Sequence, residues 1–66
     1  MSLKRPAKII ADNPGLAKFW TVQDIGYLLR LGLVAGEKLN GGRSGCLVEE
    51  NHVLKLHRLV IAKSAG

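Results

Sequence analysis

The sequence contains a single cysteine, Cys46, so the chain cannot close a disulfide within itself. An unpaired thiol is typical of a reducing compartment, and we expect the protein in the cytoplasm. His52 and His57 together with Cys46 lack the four-ligand spacing of a structural zinc site. We therefore expect no metal and no other cofactor.

Aromatic residues and long apolar runs are also scarce. The chain has one phenylalanine, one tryptophan and one tyrosine, whereas stacking platforms for single strands interleave several aromatics with cations. No run approaches the roughly 20 apolar residues that cross a bilayer. The apolar patch after Lys8 is too brief for a secretory signal. The sequence predicts no contact with membranes.

A catalytic arrangement is missing as well. Nucleophilic catalysis needs a nucleophile, a base and an orienting acid within reach of one another. His57 falls within the apolar arc of a predicted helix, which favours a partly buried role, and Cys46 is expected to pack as a small hydrophobic residue. Glu49 and Glu50 are adjacent and point apart, so they fit a helix start better than a carboxylate pair. We expect a protein that is not an enzyme.

Size and apolar content together favour self-association. The 66 residues make one domain, and such a chain buries only about 60% of its unfolded surface. Yet 47% of the residues are hydrophobic. A C-terminal helix predicted over 52–63 is largely aliphatic, with Lys55 and Arg58 on its other side. We expect a homodimer in which Val53, Leu56 and Val60 of this helix form the contact.

Positive charge is abundant where acidic charge is not. Ten lysines and arginines face five aspartates and glutamates, for a net charge of +5. Such a surplus on a small chain favours polyanionic partners through counterion release. Part of it lies in residues 1–5, which we expect to form a loose basic tail.

The clearest helix is predicted over 21–31. Thr21 is a good N-cap, Asp24 places a carboxylate in the first turn, and Gly32 is a natural stop. The apolar stripe is expected to include Ile25 and Leu29, and also Val22 and Leu33. Residues 7–11, after Pro6, fit either a short helix or a strand. The predicted helical part spans 6–31.

A glycine-rich segment predicts a β-hairpin over 38–48. Asn40-Gly41 favours a two-residue turn because both central positions of that turn need positive φ. Arg43 and Ser44 near the tip would contact phosphates, and glycines would let the backbone come close. An alternative is that Gly42 to Gly45 form a GXXG loop between two helices, which in KH domains clamps single-stranded RNA or DNA. The segment 33–38 fits either a further helical turn or an extended lead into the hairpin.

The run from Trp20 to Leu29 resembles the opening helix of small winged helix-turn-helix proteins of the excisionase and MerR type. That pattern is T-x-x-[DE]-[AIV]-[AG]-x-L-L, and a wing with Gly42 and Arg43 and a closing helix follow it. The resemblance implies a recognition helix before the wing. Either that helix is reduced to a turn within 33–39, or the helix over 21–31 is itself the recognition helix.

These observations predict a small α+β domain, mostly α, with a helix-turn-helix-like part, a short β-hairpin wing and a C-terminal helix. The function expected is that of a small basic DNA-binding protein, a transcriptional regulator or a recombination accessory factor. The alternatives are an RNA-binding module using the GXXG loop and a protein-interaction module that binds no nucleic acid. The predicted contacts to nucleic acid are Lys4, Arg5, Lys8, Gln23, Tyr27, Arg30, Lys38, Arg43 and Ser44.

Overall fold

A computed structural model describes residues 3–42 and 45–65 of the chain. Their order is strand β1 (Leu3–Lys4), helix α1 (Pro6–Asp12), a 3-10 helix (Pro14–Lys18), helix α2 (Val22–Arg30), strand β2 (Gly36–Lys38), a short 3-10 turn (Asn40–Gly42), strand β3 (Cys46–Glu49) and helix α3 (Glu50–Ala65). The predicted class, a small α+β domain that is mostly α, is confirmed. No helix in the described part of the chain has the length and apolarity needed to cross a lipid bilayer.

The described strands form an antiparallel sheet in the order β1-β3-β2. Leu3 pairs with Glu49 and Lys4 with Val48, so β3 has a neighbour on both sides. The prediction of a loose tail over residues 1–5 is therefore wrong for Leu3 and Lys4. Their backbone groups are used in the sheet, which a local sequence pattern does not reveal.

Helix α2 begins and ends as its sequence predicts. Asp24 N–H donates to Thr21 Oγ1 at 3.1 Å and Thr21 N–H donates to Asp24 Oδ2 at 2.9 Å, which completes a capping box. At the other end Gly32 has φ 77°, and Leu33 N–H donates to Leu28 O at 3.0 Å. This is a Schellman motif, which satisfies carbonyls that would otherwise lack partners.

The core lies between the helices and the sheet. Ile9, Leu16, Ile25, Val48 and Val53 are each no more than 1% exposed. The stripe predicted on α2 is wrong at its two ends. Val22 is 47% exposed and Leu33 is 55% exposed. Leu33 is exposed because the Schellman turn ends the helix before it, and Val34 is buried in the core instead.

The hairpin is confirmed, but its turn is not the two-residue turn predicted. Asn40 and Gly41 do have positive φ, 49° and 64°. The two sides of the hairpin are nevertheless joined at Leu39 and Gly45, where Leu39 N–H donates to Gly45 O at 2.9 Å. Leu33 and Val34 before the hairpin form a bend, and β2 starts at Gly36.

Helix α3 starts earlier than expected. Glu50 is its first residue, two positions before the predicted start at residue 52. Its first half contacts the body through Val53, whereas residues 58–64 are all exposed. A helix of 16 residues is about 24 Å long, so its second half extends beyond the core.

Candidate nucleic-acid interface

The chain path settles which helix precedes the hairpin. Helix α1 leads through Asn13 into the 3-10 helix Pro14–Lys18, and α2 follows after Trp20 and Thr21. The residues between α2 and β2 contain a turn and no further helix. Helix α2 is the helix that directly precedes the hairpin, and α1 precedes α2.

Gln23, Tyr27 and Arg30 lie on one exposed face of α2. Their spacing of four and three residues places them on the same side of a helix with 3.6 residues per turn. All three are exposed, Tyr27 by 56%. Ile25 and Leu28 on the opposite side are buried. The helix therefore presents an amide, a phenol and a guanidinium together to solvent.

Lys4 lies elsewhere, in an ionic cluster that joins β1, α1 and α3. Its ammonium is 3.0 Å from Asp12 Oδ2 and 3.2 Å from Glu50 Oε1. The hydrogen bond to Asp12, and then that to Glu50, raises the pKa of Lys4 above its ordinary value. Lys4 is thus paired with two carboxylates, so we do not include it among the phosphate contacts proposed below.

Asp12 and Asn13 complete this cluster. Lys8 Nζ lies 3.2 Å from Asp12 Oδ1, and Asn13 Nδ2 donates to Glu50 Oε2 at 3.0 Å. Hydrogen bonds from Lys4 first and Lys8 second lower the pKa of Asp12. The side chain of Lys8 is 64% exposed, so it remains accessible to solvent although it is paired with Asp12.

The remaining predicted cations lie near the hairpin. Lys38 is exposed on β2 opposite Cys46. Arg5 lies beside Gly45, since a Cβ built on that glycine would lie 3.7 Å from Arg5 Nη1. Arg43 and Ser44, predicted at the hairpin tip, lie outside the described residues.

The GXXG alternative needs a helix on each side of Gly42 to Gly45. The segment is preceded by strand β2 and a 3-10 turn and followed by strand β3. This helix–loop–helix interpretation of the segment is therefore wrong. The sequence signal that favoured a strand over a helix here was the Asn40-Gly41 pair.

The three predicted dimer residues differ in exposure. Val53 is 0% exposed within the single chain, so its side chain is already covered by the protein's own core and is not available to a second copy. Leu56 is half-buried, and Val60 is 37% exposed. Leu59 and Ile61 are also exposed, by 62% and 41%.

Two histidines of α3 accept hydrogen bonds from the segments on either side of α2. The sequence did not reveal these contacts. Trp20 Nε1–H donates to His57 Nδ1 at 3.0 Å, and the ring of Phe19 meets that of His57 edge-on at 5.3 Å. Ala35 N–H donates to His52 Nδ1 at 3.0 Å. Both histidines act as acceptors within the fold. Across residues 3–42 and 45–65, no cluster of three or more metal-ligating side chains occurs.

Comparison of the chain with protein-family models, with curated proteins and with solved structures finds no match. The assignment of a function therefore depends on the geometry described above.

Proposed function

We propose that this protein is a small DNA-binding protein whose α2 helix enters the major groove. The observation that carries the proposal is the shared exposed face of Gln23, Tyr27 and Arg30 on the helix that directly precedes the hairpin. In a helix-turn-helix the second helix lies in the groove and the first crosses the backbone. Arg30 pairs well with guanine edges and Gln23 with adenine edges.

Phosphate contacts would come from the hairpin side of the molecule. Lys38 is exposed there, and Arg5 lies next to the start of β3. Arg43 is proposed as a further contact on sequence grounds. Such contacts fix the position of a protein on the duplex without carrying sequence information. A role as a transcriptional regulator or recombination accessory factor in the cytoplasm fits this chemistry.

A second copy of the chain would place two of these proposed DNA-contacting surfaces side by side. Val60 and Ile61 are exposed aliphatic residues on the half of α3 that extends beyond the core. Val60 lies four residues after the half-buried Leu56 and therefore on the same side of α3, so an α3–α3 contact over that side would cover Val60. We propose this contact as the dimer interface, with Val53 no longer a part of it.

The test of DNA binding starts from a random-sequence duplex pool, because the target is unknown. Selection on the immobilised protein followed by sequencing would enrich a preferred site, and fluorescence anisotropy would give its affinity at two salt concentrations. The logarithm of the binding constant should fall with the logarithm of salt by about 0.9 per phosphate contact. A flat response to salt would contradict the proposal.

A matched pair of variants tests the role of α2. Arg30→Ala removes an exposed guanidinium from α2, and Arg58→Ala removes one from α3. Loss of a base-reading arginine costs about 1–3 kcal/mol and relaxes specificity at one position. We expect that loss for Arg30→Ala and a smaller, sequence-independent loss for Arg58→Ala. Equal losses for both would show that α2 has no special place in recognition.

The dimer is tested separately from DNA binding. Val60→Asp places a charge on the proposed contact, whereas Ala62→Asp places it on the other side of the same exposed helix segment. Sedimentation equilibrium should show dissociation for the first variant only, because an unpaired buried charge is costly. A wild-type protein that is monomeric at all concentrations would contradict the dimer and leave the DNA test unaffected.

A further inference from the structure

An open cavity of about 200 Å³ lies between α1, α2 and β3. Its walls are largely apolar and include Pro6 and Ala7 from α1, Val22 from α2, and Cys46 from β3. Pro6 is buried and Cys46 is half-buried, whereas Arg5, Ala7, Val22 and Gly45 are exposed, so the cavity is a groove that opens to the surface. Of the described residues proposed to contact DNA, Arg5 alone borders this space.

Gly26 of α2 keeps the cavity open. A Cβ at this position would find no described heavy atom within 4 Å, and Gly26 lines the cavity. Its backbone is helical, so it does not need the freedom of glycine for a positive φ. Glycine is less favourable than alanine in a helix interior. The sequence thus forgoes helix stability at an α2 position that lines the cavity, where a side chain would take up part of the space.

A cation lies at the edge of this apolar space. Arg5 lines the cavity together with Gly45, and its guanidinium lies beside that glycine. Arg5 already has an interaction within the protein. A guanidinium has five N–H donors, however, and can serve a second acceptor while it keeps the first. A planar carboxylate is the group that its fork matches best.

From these three observations we infer that the cavity binds a small monocarboxylate with an apolar ring or short chain, its carboxylate at Arg5 and its apolar part against Gly26 and Cys46. An apolar cavity of about 150 Å³ is known to accept benzene. A cavity of about 200 Å³ therefore has room for a single ring with a short acidic substituent. The class of ligand follows from the apolar wall and from Arg5, the one cation among the described lining residues.

Cys46 supplies a direct readout, because it is the only cysteine in the chain and lines the cavity. The rate at which iodoacetamide modifies Cys46 is measured with benzoate, with phenylacetate and with the neutral benzyl alcohol. We expect both acids to slow the reaction several-fold in a saturable way, and the alcohol to need about tenfold higher concentration, since a charge-assisted hydrogen bond is lost. Equal protection by acid and alcohol would overturn the assignment of Arg5, and no protection by any probe would overturn the site.

Three variants separate the parts of the site. Gly26→Leu fills the cavity and should abolish protection of Cys46 by benzoate, whereas Gly15→Leu adds the same group at another open glycine and should leave it unchanged. Circular dichroism checks that each variant is folded. Arg5→Gln should remove the preference for benzoate over benzyl alcohol. If Gly26→Leu does not fold, the protection of Cys46 in Arg5→Gln is the measurement that tests the inference. Protection by duplex DNA in the absence of protection by either acid would assign the cavity to the nucleic-acid interface and overturn the inference.

Discussion

Replacing Gly26 or Gly36 by alanine adds the same methyl group at two sites whose surroundings differ. At Gly26 the new methyl meets no described heavy atom within 4 Å, and the helix gains the propensity of alanine. We expect stabilisation of about 1 kcal/mol. At Gly36 the methyl would collide with Leu47 O, and it would lie 3.0 Å from Val48 Cα and 3.2 Å from Leu29 Cδ1. Two of these three atoms belong to the backbone of β3, which cannot move without disturbing the sheet.

We therefore expect Gly36→Ala to destabilise the protein by about 2–3 kcal/mol, at the upper end of the range for overpacking. In a domain of this size 1 kcal/mol shifts Tm by roughly 4–8 °C. Urea titration followed through the fluorescence of Trp20 gives the free energy of unfolding, and calorimetry gives Tm. If Gly26→Ala lowered Tm, the space beside α2 would be occupied. If Gly36→Ala were neutral, β2 would not approach β3 and α2 as closely as the distances require.

Four further predictions concern single contacts. Thr21→Ala should cost about 1 kcal/mol by removing the N-cap acceptor of α2, while Thr21→Ser retains it; the urea midpoint distinguishes them. Asp12→Asn should lower Tm near neutral pH. Because the pKa of Asp12 is lowered in the fold, the contribution of its carboxylate to stability is complete above the ordinary carboxyl pKa and is lost as pH falls through the lowered value. A difference in Tm between wild type and variant that is the same at all pH would contradict this. His57→Leu should cost about 1 kcal/mol or more by leaving Trp20 Nε1–H without its acceptor, and near-ultraviolet circular dichroism of Trp20 should change, whereas Lys55→Ala on the same helix should leave that signal unchanged. For duplex DNA, Lys38→Met should reduce the salt slope by about one phosphate contact and Lys4→Met should leave the slope unchanged, since the ammonium of Lys4 is held by Asp12 and Glu50; a reduced slope for Lys4→Met would refute this.

Features determined by neighbouring residues could be predicted from the sequence. The capping box of α2 needs only Thr21 and Asp24, and the stop at Gly32 needs only a glycine after the last helical turn. The same holds for the face shared by Gln23, Tyr27 and Arg30, which follows from helical spacing once the helix is assigned. Each of these signals acts over at most eight residues, and each is present in the structure.

Features that join distant parts of the chain could not be predicted. Strand β1 exists because Leu3 and Lys4 pair with Glu49 and Val48. Neither residue carries a local strand signal. The turn of the hairpin shows the same limit, because Asn40 and Gly41 adopt the expected positive φ and the strands still close at Leu39 and Gly45. The cavity likewise needs α1, α2 and β3 together, and Gly26 alone gave no sign of it.

The net charge of +5 is distributed unevenly over the fold. For the candidate interface, the distribution of the charge matters more than its magnitude. Asp12 and Glu50 are paired with Lys4 and Lys8, Glu49 is 4% exposed, and Asp24 is bonded within its capping box. Four of the five acidic side chains therefore serve the fold itself, and two of them neutralise cations at the edge formed by β1 and α1. The two lysines of this cluster are thus matched by two carboxylates, and the surplus of +5 comes from the other eight lysines and arginines against Asp24, Glu37 and Glu49. Three of those eight cations, Lys55, Arg58 and Lys63, are on α3. Counting charges predicts that the chain attracts DNA, but the pairing of those charges determines which surface does so.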